Sequence, residues 1–590
     1  MPLTRLSSSM PDLFVLEHRT QTKPKQNFRT LSFISGEADF YPEDFLTQKD
    51  VETVYLRVFT PLMERLYDPA AVQQFKYRDV SLLSCLKKVL FEYVYAIALR
   101  FEVLRRASEK IAENLWLEQS RNEEVPYLAQ VLSATSLSHS SKIKMLGGNN
   151  SSRAVYPILS GAKRPCLNFG PWKSRSVAVY SDPHKSQAVL HALGSAAFLY
   201  LNEPAPRAIA RSIWNRVPFY CPSRKTVDSQ ALFKFMASAR STHLFKGLFL
   251  NDINAENLLR TRLESTLRLR LFSLMAEIDG FYSFFKGAKA LRSALMDEDI
   301  SASKNAFSQV ARAHGVLTVV ECHGSLGHPS GYLPLTADRM LAWGNKQKEK
   351  LMRWGCPEER IVVTGCSRYD FYKGLDAGET KKNMCRSLGF DSSKPVILVA
   401  FPPVNRAYAR IVFVHRVWER IHEIVRVISE TALEHSETQW ILKLHQGDEN
   451  HSFYESWLKA NSAIRNRVRL LTREDPLRLA RAADFLIAYW STYAIDGFAL
   501  GKPVICAFDS TDDSLEEYRS YGVFDYVENL SELKTAIENR LRKDGVQPSR
   551  WDEARRDCLN ESDKSAADIV AQFLLTGQQP LPRDTVLSQA

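Results

Sequence analysis

The sequence predicts an α/β protein made of two doubly wound domains in series, preceded by a helical module. Three observations predict it. Two successive series of short apolar runs alternate with helical segments, the pattern of parallel strands buried on both faces. At 590 residues the chain exceeds one ordinary core and corresponds to about three or four folding units. The polar motifs with chemical potential follow directly after apolar runs, at the carboxyl ends where open parallel sheets bind ligands.

Taken in order, residues 1–45 are polar, basic and weakly patterned, which predicts a mobile tail. Residues 46–135 read as the helical module. Val80, Leu83, Leu86, Leu90, Val94 and Ile97 recur at three- and four-residue steps, and Leu104, Ile111 and Leu115 extend the pattern. The Ser/Gly/Asn-rich stretch 133–152 reads as a linker or exposed loop. The first doubly wound domain is assigned to 136–380, with strands at 177–180, 197–201, 217–220, 294–296, 317–320, 340–343 and 361–363. The second is assigned to 381–590, with strands at 396–400, 440–444, 468–471, 485–488 and 503–506 and helices at its end.

Lys and Arg total 78 against 67 Asp and Glu, a formal charge of +11. Such a surface suits phosphate-bearing ligands, anionic lipid or nucleic acid, and an excess spread over solvated faces fits equally. Zinc-finger spacing and compact basic–aromatic runs are absent, so no nucleic-acid partner is expected. Nine cysteines without CxxC pairs fit reduced thiols and a cytoplasmic location. Met1 to Arg29 lacks the apolar core of a secretory signal. The most apolar stretch, 89–104, is interrupted by Glu92, Arg100 and Glu102, and a spanning helix needs about 20 mostly apolar residues. Any membrane contact should therefore be peripheral.

Four motifs close predicted strands. Glu321-Cys322-His323-Gly324 follows 317–320 and can face a ligand with His323 while Gly324 brings backbone close; a loop His bonded to neighbouring backbone is the alternative. Thr364-Gly365-Cys366-Ser367-Arg368-Tyr369-Asp370 follows 361–363. Gly365 permits a tight turn, and Arg368 and Asp370 either pair across the interdomain cleft, contact phosphate or form an internal salt bridge. In Lys443-Leu444-His445 both polar side chains leave the strand on one face, as an anion site or as a strand end emerging into solvent. Ser491-Thr492, after 485–488, should cap a helix beginning near Tyr493, whose free amides offer a phosphate site; an ordinary cap needs no ligand. Asp496, one turn on, can accept hydrogen bonds from ribose hydroxyls.

In this order the motifs resemble those of bacterial surface-polysaccharide transferases of the GT-B type, a group including capsule β-Kdo transferases, polysialyltransferases and CDP-glycerol glycerophosphotransferases. UDP-GlcNAc 2-epimerases are more distantly similar. The resemblance is carried by Ala311 to Gly315, His323-Gly324, Ala337 to Leu341, Trp343-Gly344 and Thr364 to Asp370. Further on it is carried by Lys443-Leu444-His445, Ala483 to Ile487, Ser491-Thr492 and Gly501 to Ile505. It spans about 177–540, with its specific motifs between 305 and 505. It departs from the pattern at Gln446, where the group has Pro after the His.

The resemblance implies two Rossmann-like domains facing a cleft. His445, supported by Lys443, would contact the donor's phosphate; Ser491 and Thr492 would bind phosphate, Asp496 the ribose, and Arg406 a further phosphate. His323, with Gly324, would face the acceptor or sugar. His323, Glu321 and Asp299, in that order, are the candidate bases for the acceptor hydroxyl, and Arg368 is a further cleft or phosphate candidate. No metal and no cofactor is expected, since helix dipoles and cationic side chains can stabilise the departing phosphate; Asp297-Glu298-Asp299 reads as a solvated turn as readily as a metal motif. The partners implied are a nucleotide-sugar donor, a glycan or glycolipid acceptor, and an anionic membrane touched peripherally. A UDP-sugar 2-epimerase-like isomerase or hydrolase, and a non-catalytic glycan-binding or assembly protein of the same fold, are the competing readings.

Overall fold

A computed structural model describes residues 13–16, 29–32, 38–110, 115–118, 143–146, 166–181, 185–202, 206–222, 229–404, 415–489, 491–507, 513–542 and 550–578. Its centre is two large parallel sheets. In the first, seven parallel strands lie in the spatial order Ile361–Val363, Arg339–Ala342, Leu317–Glu321, Ser293–Met296, Val177–Tyr180, Ala197–Tyr200 and Phe219–Cys221. Leu167–Phe169 adds an antiparallel edge to the last of these. The second sheet orders Val468–Leu471, Gln439–Lys443, Val396–Ala400, Phe485–Ala488, Val504–Cys506 and Asp525–Tyr526, all parallel. Numbered along the chain, the second sheet has the 3-2-1-4-5-6 order of a dinucleotide-binding fold, and the first extends that order by one strand. Every strand predicted from the apolar runs is present, with ends displaced by one or two residues at most. The edge strands Leu167–Phe169 and Asp525–Tyr526 were not foreseen.

Alternation along each strand divides the first sheet into two buried faces. Val177 and Val179 point one way and Ala178 and Tyr180 the other, all 8% exposed or less. The second face meets Phe281, Phe284 and Phe307 from the helices Glu256–Gly287 and Ala302–Ala313. The first face is covered by Gln187–Leu193 and by Ala566–Thr576, the last helix described. That last helix therefore returns to the first domain. It buries Ala567, Val570, Ala571, Phe573 and Leu574 there, and its Leu574 carbonyl accepts from Ser293 Oγ at 2.7 Å. The sequence assignment of 381–590 wholly to the second domain is corrected at this helix.

Two motif glycines owe their identity to this return. A Cβ on Gly344 would lie 2.3 Å from the Asp557 carbonyl oxygen, and one on Gly365 2.8 Å from Ala566 Cβ. Gly365 also has φ +84°, so both a turn and a close backbone approach require it. Asp370 holds the same segment, accepting from the Ala567 amide at 2.7 Å.

The helical module is real but is not a free-standing unit. Its helices Gln48–Leu66 and Leu82–Lys110 pack on one another and on the first domain, within one continuous core. Ser81 exchanges hydrogen bonds with Gln309, and Tyr77 and Arg78 both bind Asp279. The helix ends at Lys110, so Leu115, expected to continue it, lies in a strand; Ile111 lies outside the described residues. Leu13–Leu16, Arg29–Ser32, Leu115–Glu118 and Ile143–Leu146 form a four-stranded parallel sheet. This corrects the mobile-tail and linker readings at those residues; most of the rest of both segments lies outside the described residues. Among the described residues no helix is long and apolar enough to cross a membrane.

Candidate active site

In an open α/β sheet the crevice lies where the strand order reverses. In the second sheet that point is between Val396–Ala400 and Phe485–Ala488, where the Tyr489 amide donates to the Ala400 carbonyl at 3.1 Å. The loops leaving it carry Phe401 to Val404 and Ser491-Thr492, and the neighbouring strand leads to His445. Arg406 lies outside the described residues.

His445 is exposed, and its Nδ1 accepts the Gly447 amide at 3.0 Å, leaving the ring hydrogen on Nε2 as a donor. Partial burial, with the nearby Lys443 ammonium, holds the imidazole below its ordinary range and favours the neutral form. Lys443 itself is 9% exposed, and its Nζ donates to the carbonyls of Leu444 and Thr472 at 3.0 and 2.9 Å. Of the two residues expected on one face, Lys443 is buried and His445 exposed, and the partners Lys443 meets are carbonyl dipoles. The same loop contains Asp448, 6% exposed, whose Oδ1 accepts the Asn450 amide while Oδ2 has no partner. Burial raises its carboxyl above the ordinary range.

The helix Tyr493–Ala499 begins where the sequence placed it. Thr492, at the cap position, makes no capping bond; Ser491 Oγ instead accepts the Tyr493 amide at 3.2 Å. Both side chains remain partly exposed. Asp496 is 5% exposed, and its Oδ1 takes a 2.5 Å ion pair from Arg368 and a 2.7 Å hydrogen bond from the Tyr369 hydroxyl. Its carboxylate thus joins the two domains, a different use from the ribose contact expected. Arg368 lies over the rings of Trp343 and Tyr369, at 5.0 and 4.9 Å from their centroids. It also donates to the His323 carbonyl at 3.4 Å. Of the alternatives for Arg368, the pairing across the domains is the one formed; the partner is Asp496 rather than Asp370.

From the first sheet, the loop after Leu317–Glu321 meets this arrangement directly. A Cβ on Gly324 would stand 3.3 Å from Thr492 Cγ2, so the two carboxyl edges are in contact there. His323 stacks on Tyr332 with centroids 5.0 Å apart and planes at 17°, and its Nδ1 is buried without a partner. Burial, reinforced by Lys185 and Arg368 and opposed by Glu298 and Asp297, pushes the imidazole down to about 4. It is therefore neutral at physiological pH.

The other two candidate bases are set into the scaffold. Glu321 Oε1 accepts from the Ser367 amide and hydroxyl at 3.1 and 2.7 Å. Asp299, 1% exposed, accepts the amides of Thr336 and Ala337 at 2.6 and 2.8 Å. Burial raises both carboxyls, against those hydrogen bonds. Asp297, by contrast, pairs with Lys304 and lies 3.7 Å from Lys185. Among the described residues Glu434, His435 and Glu538 bring ligand-type atoms within 4.8 Å, but Lys534 and Arg542 pair with those two carboxylates.

Sequence reasoning passed over Tyr332 and Tyr369. Tyr369 sits inside the quoted motif between Arg368 and Asp370, a position that could have been weighed; Tyr332 carries no spacing signal, since a loop brings it back onto His323.

No protein-family model matches the sequence, and no curated protein matches it. Solved structures align over about two thirds of the chain. A UDP-GlcNAc 2-epimerase from Methanocaldococcus jannaschii is 13% identical, covering 68% of this chain and 99% of its own, with a TM-score of 0.44. A UDP-GlcNAc 2-epimerase from Neisseria meningitidis, bound to UDP-GlcNAc, is 13% identical over 70% and 100%, with a TM-score of 0.43. A glycosyltransferase from Rickettsia africae is 14% identical over 68% and 100%, with a TM-score of 0.41. Likenesses this distant assign neither family nor activity.

Proposed function

We propose that the chain is a nucleotide-sugar-dependent glycosyltransferase of GT-B type, moving a sugar from an activated donor to a cell-surface polysaccharide or glycolipid acceptor. The observation that carries the reading is the juxtaposition at Gly324 and Thr492. It sets a neutral histidine on one carboxyl edge against the switch point of the opposing sheet. His445 Nε2, Ser491 and Thr492 would donate to the donor's phosphates, with Arg406 as a further cation. Lys443 would act by adding positive charge behind His445. His323 would take the acceptor proton; the phosphates of a bound donor raise its affinity for that proton when it is needed. Peripheral docking to anionic lipid belongs to the same proposal.

Calorimetric titration of CMP, CDP, UDP and GDP against the wild type and a His445→Ala/Ser491→Ala variant tests the donor site. Binding of at least one nucleotide, weakened tenfold or more in the variant, is expected. If the wild type binds none of the four, the proposal fails. Product analysis with the matching nucleotide sugar, with and without a glycan acceptor, then separates transfer from isomerisation or hydrolysis.

A further inference from the structure

The module formed by Gln48–Leu66 and Leu82–Lys110 has no role in the reading above, yet a buried polar side chain from each helix bonds the backbone of one loop. That loop runs from Gly324 to Thr336 and begins beside His323. At its middle, the Tyr55 hydroxyl accepts the Ser330 amide at 2.6 Å, and the Tyr55 ring stacks on His328 with centroids 5.0 Å apart and planes at 24°. Tyr55 is 4% exposed and braced edge-on by Phe91 and Tyr95. At the far end, Lys87, 2% exposed, donates to the Pro334 carbonyl at 2.5 Å. Asp299, whose charge Lys87 favours, accepts the amides of Thr336 and Ala337 just beyond. Between these two grips lies Tyr332, 5% exposed, flat against His323, with its hydroxyl donating to the Ser325 carbonyl at 2.9 Å.

We propose that the helical module is part of the active site: Tyr55 and Lys87 hold the loop that presses Tyr332 onto the His323 ring, making Tyr332 the positioning residue for that imidazole. The physical case is one of local order. Holding a thirteen-residue loop in one conformation costs backbone entropy at every residue. Here a buried cation and a buried phenol each take a backbone group of the loop and fix its two halves independently. A stacked, water-poor imidazole is the result, which agrees with its low proton affinity and with the charged groups around it, Lys185, Asp297, Glu298 and Arg368. The inference rests on His323 being a site group, as the proposed function has it.

The test uses the full chain without ligand. Carbethoxylation of His323, followed by peptide mass spectrometry, reads how much of the ring is neutral and reachable. In the wild type the rate constant should be low and the same at pH 5.5 and 7.5. In Tyr55→Phe, which removes one oxygen, and in Tyr332→Leu, the rate at pH 7.5 should rise. Between pH 7.5 and 5.5 it should then fall by up to about tenfold, as for an imidazole returning towards a pKa of about 6.5. Tyr77→Phe, a phenol of the same module bonded to Asp279, is the control and should follow the wild type. Profiles for Tyr55→Phe and the wild type that coincide, including the case in which neither reacts, would overturn the proposal; should Tyr332→Leu not fold, Tyr55→Phe alone decides. A chain that binds no nucleotide but shows the expected profiles would lose its proposed function and keep this mechanical coupling.

Discussion

Replacing Asp496 by Asn separates two uses of one carboxylate. Only 5% of Asp496 is exposed, and the Arg368 side chain beside it is 15% exposed. Removing one partner of a buried pair costs about 3–5 kcal/mol, because the other charge is left uncompensated. Asn keeps an oxygen for the Tyr369 hydroxyl, and the Trp343 and Tyr369 rings retain about 0.5–2 kcal/mol of cation–π attraction for the guanidinium. We therefore expect a loss near the lower bound, about 3 kcal/mol, in guanidinium-induced unfolding. Arg368→Leu alone should cost a similar amount. The Arg368→Leu/Asp496→Leu double variant removes both charges together and should cost at least 2 kcal/mol less than the sum of the two single leucine variants, about the coupling of a contacting pair. Additivity to within about 0.5 kcal/mol would refute the stabilising pair of Arg368 and Asp496. Had Asp496 instead read a ribose, as its position one turn past Thr492 suggested, Asp496→Asn would leave stability intact and lower nucleotide affinity by about 1–3 kcal/mol.

Two further outcomes follow from the close approaches and from the buried imidazole. Gly344→Ala and Gly365→Ala force a methyl to 2.3 Å from a carbonyl oxygen and 2.8 Å from another methyl; each should cost more than about 2 kcal/mol and make the 551–576 segment more sensitive to protease. Gly327→Ala, with nothing within 4 Å, is the control, and equal melting temperatures for all three would refute the account. His323 is held at about 4 in the folded chain against about 6.5 for a free imidazole, so the unfolded chain takes the proton first as pH falls. Stability is then full above pH 6.5 and is lost between 6.5 and 4, by at most about 3 kcal/mol; His323→Gln should flatten that part of the unfolding-midpoint profile, and an unchanged slope would count against the low proton affinity.

The strands were legible because most of them are short apolar runs buried on both faces. What the runs could not show is which element covers each face. Val177 and Val179 are covered by a helix almost 400 residues later, Ala566–Thr576. Hydrophobic periodicity is local, whereas this contact is a property of chain return. The edge strands escaped for a related reason: Leu167–Phe169 is exposed along its length, so no burial pattern marks it.

In the candidate site, His323, His445 and the Ser491-Thr492 pair could be placed from the sequence because each follows a strand, and strand ends are what parallel topology gathers. What the sequence could not show is the internal partner of each charge there. Lys443, Asp299, Glu321 and Asp496 looked available because a sequence shows a charge but not its partner, and buried charges seldom go unpartnered. Each of the four is engaged by backbone groups or by a second charge. The residues left with capacity to bind are the partly exposed ones: His445 with Nε2–H, and Ser491 and Thr492 at the switch point. His323 joins them through a different route, since its free Nδ1 is enclosed by a loop that the helical module holds in place. Charge at a strand end therefore marks candidates in this chain, but burial separates the charges that build the scaffold from those left exposed at the crevice.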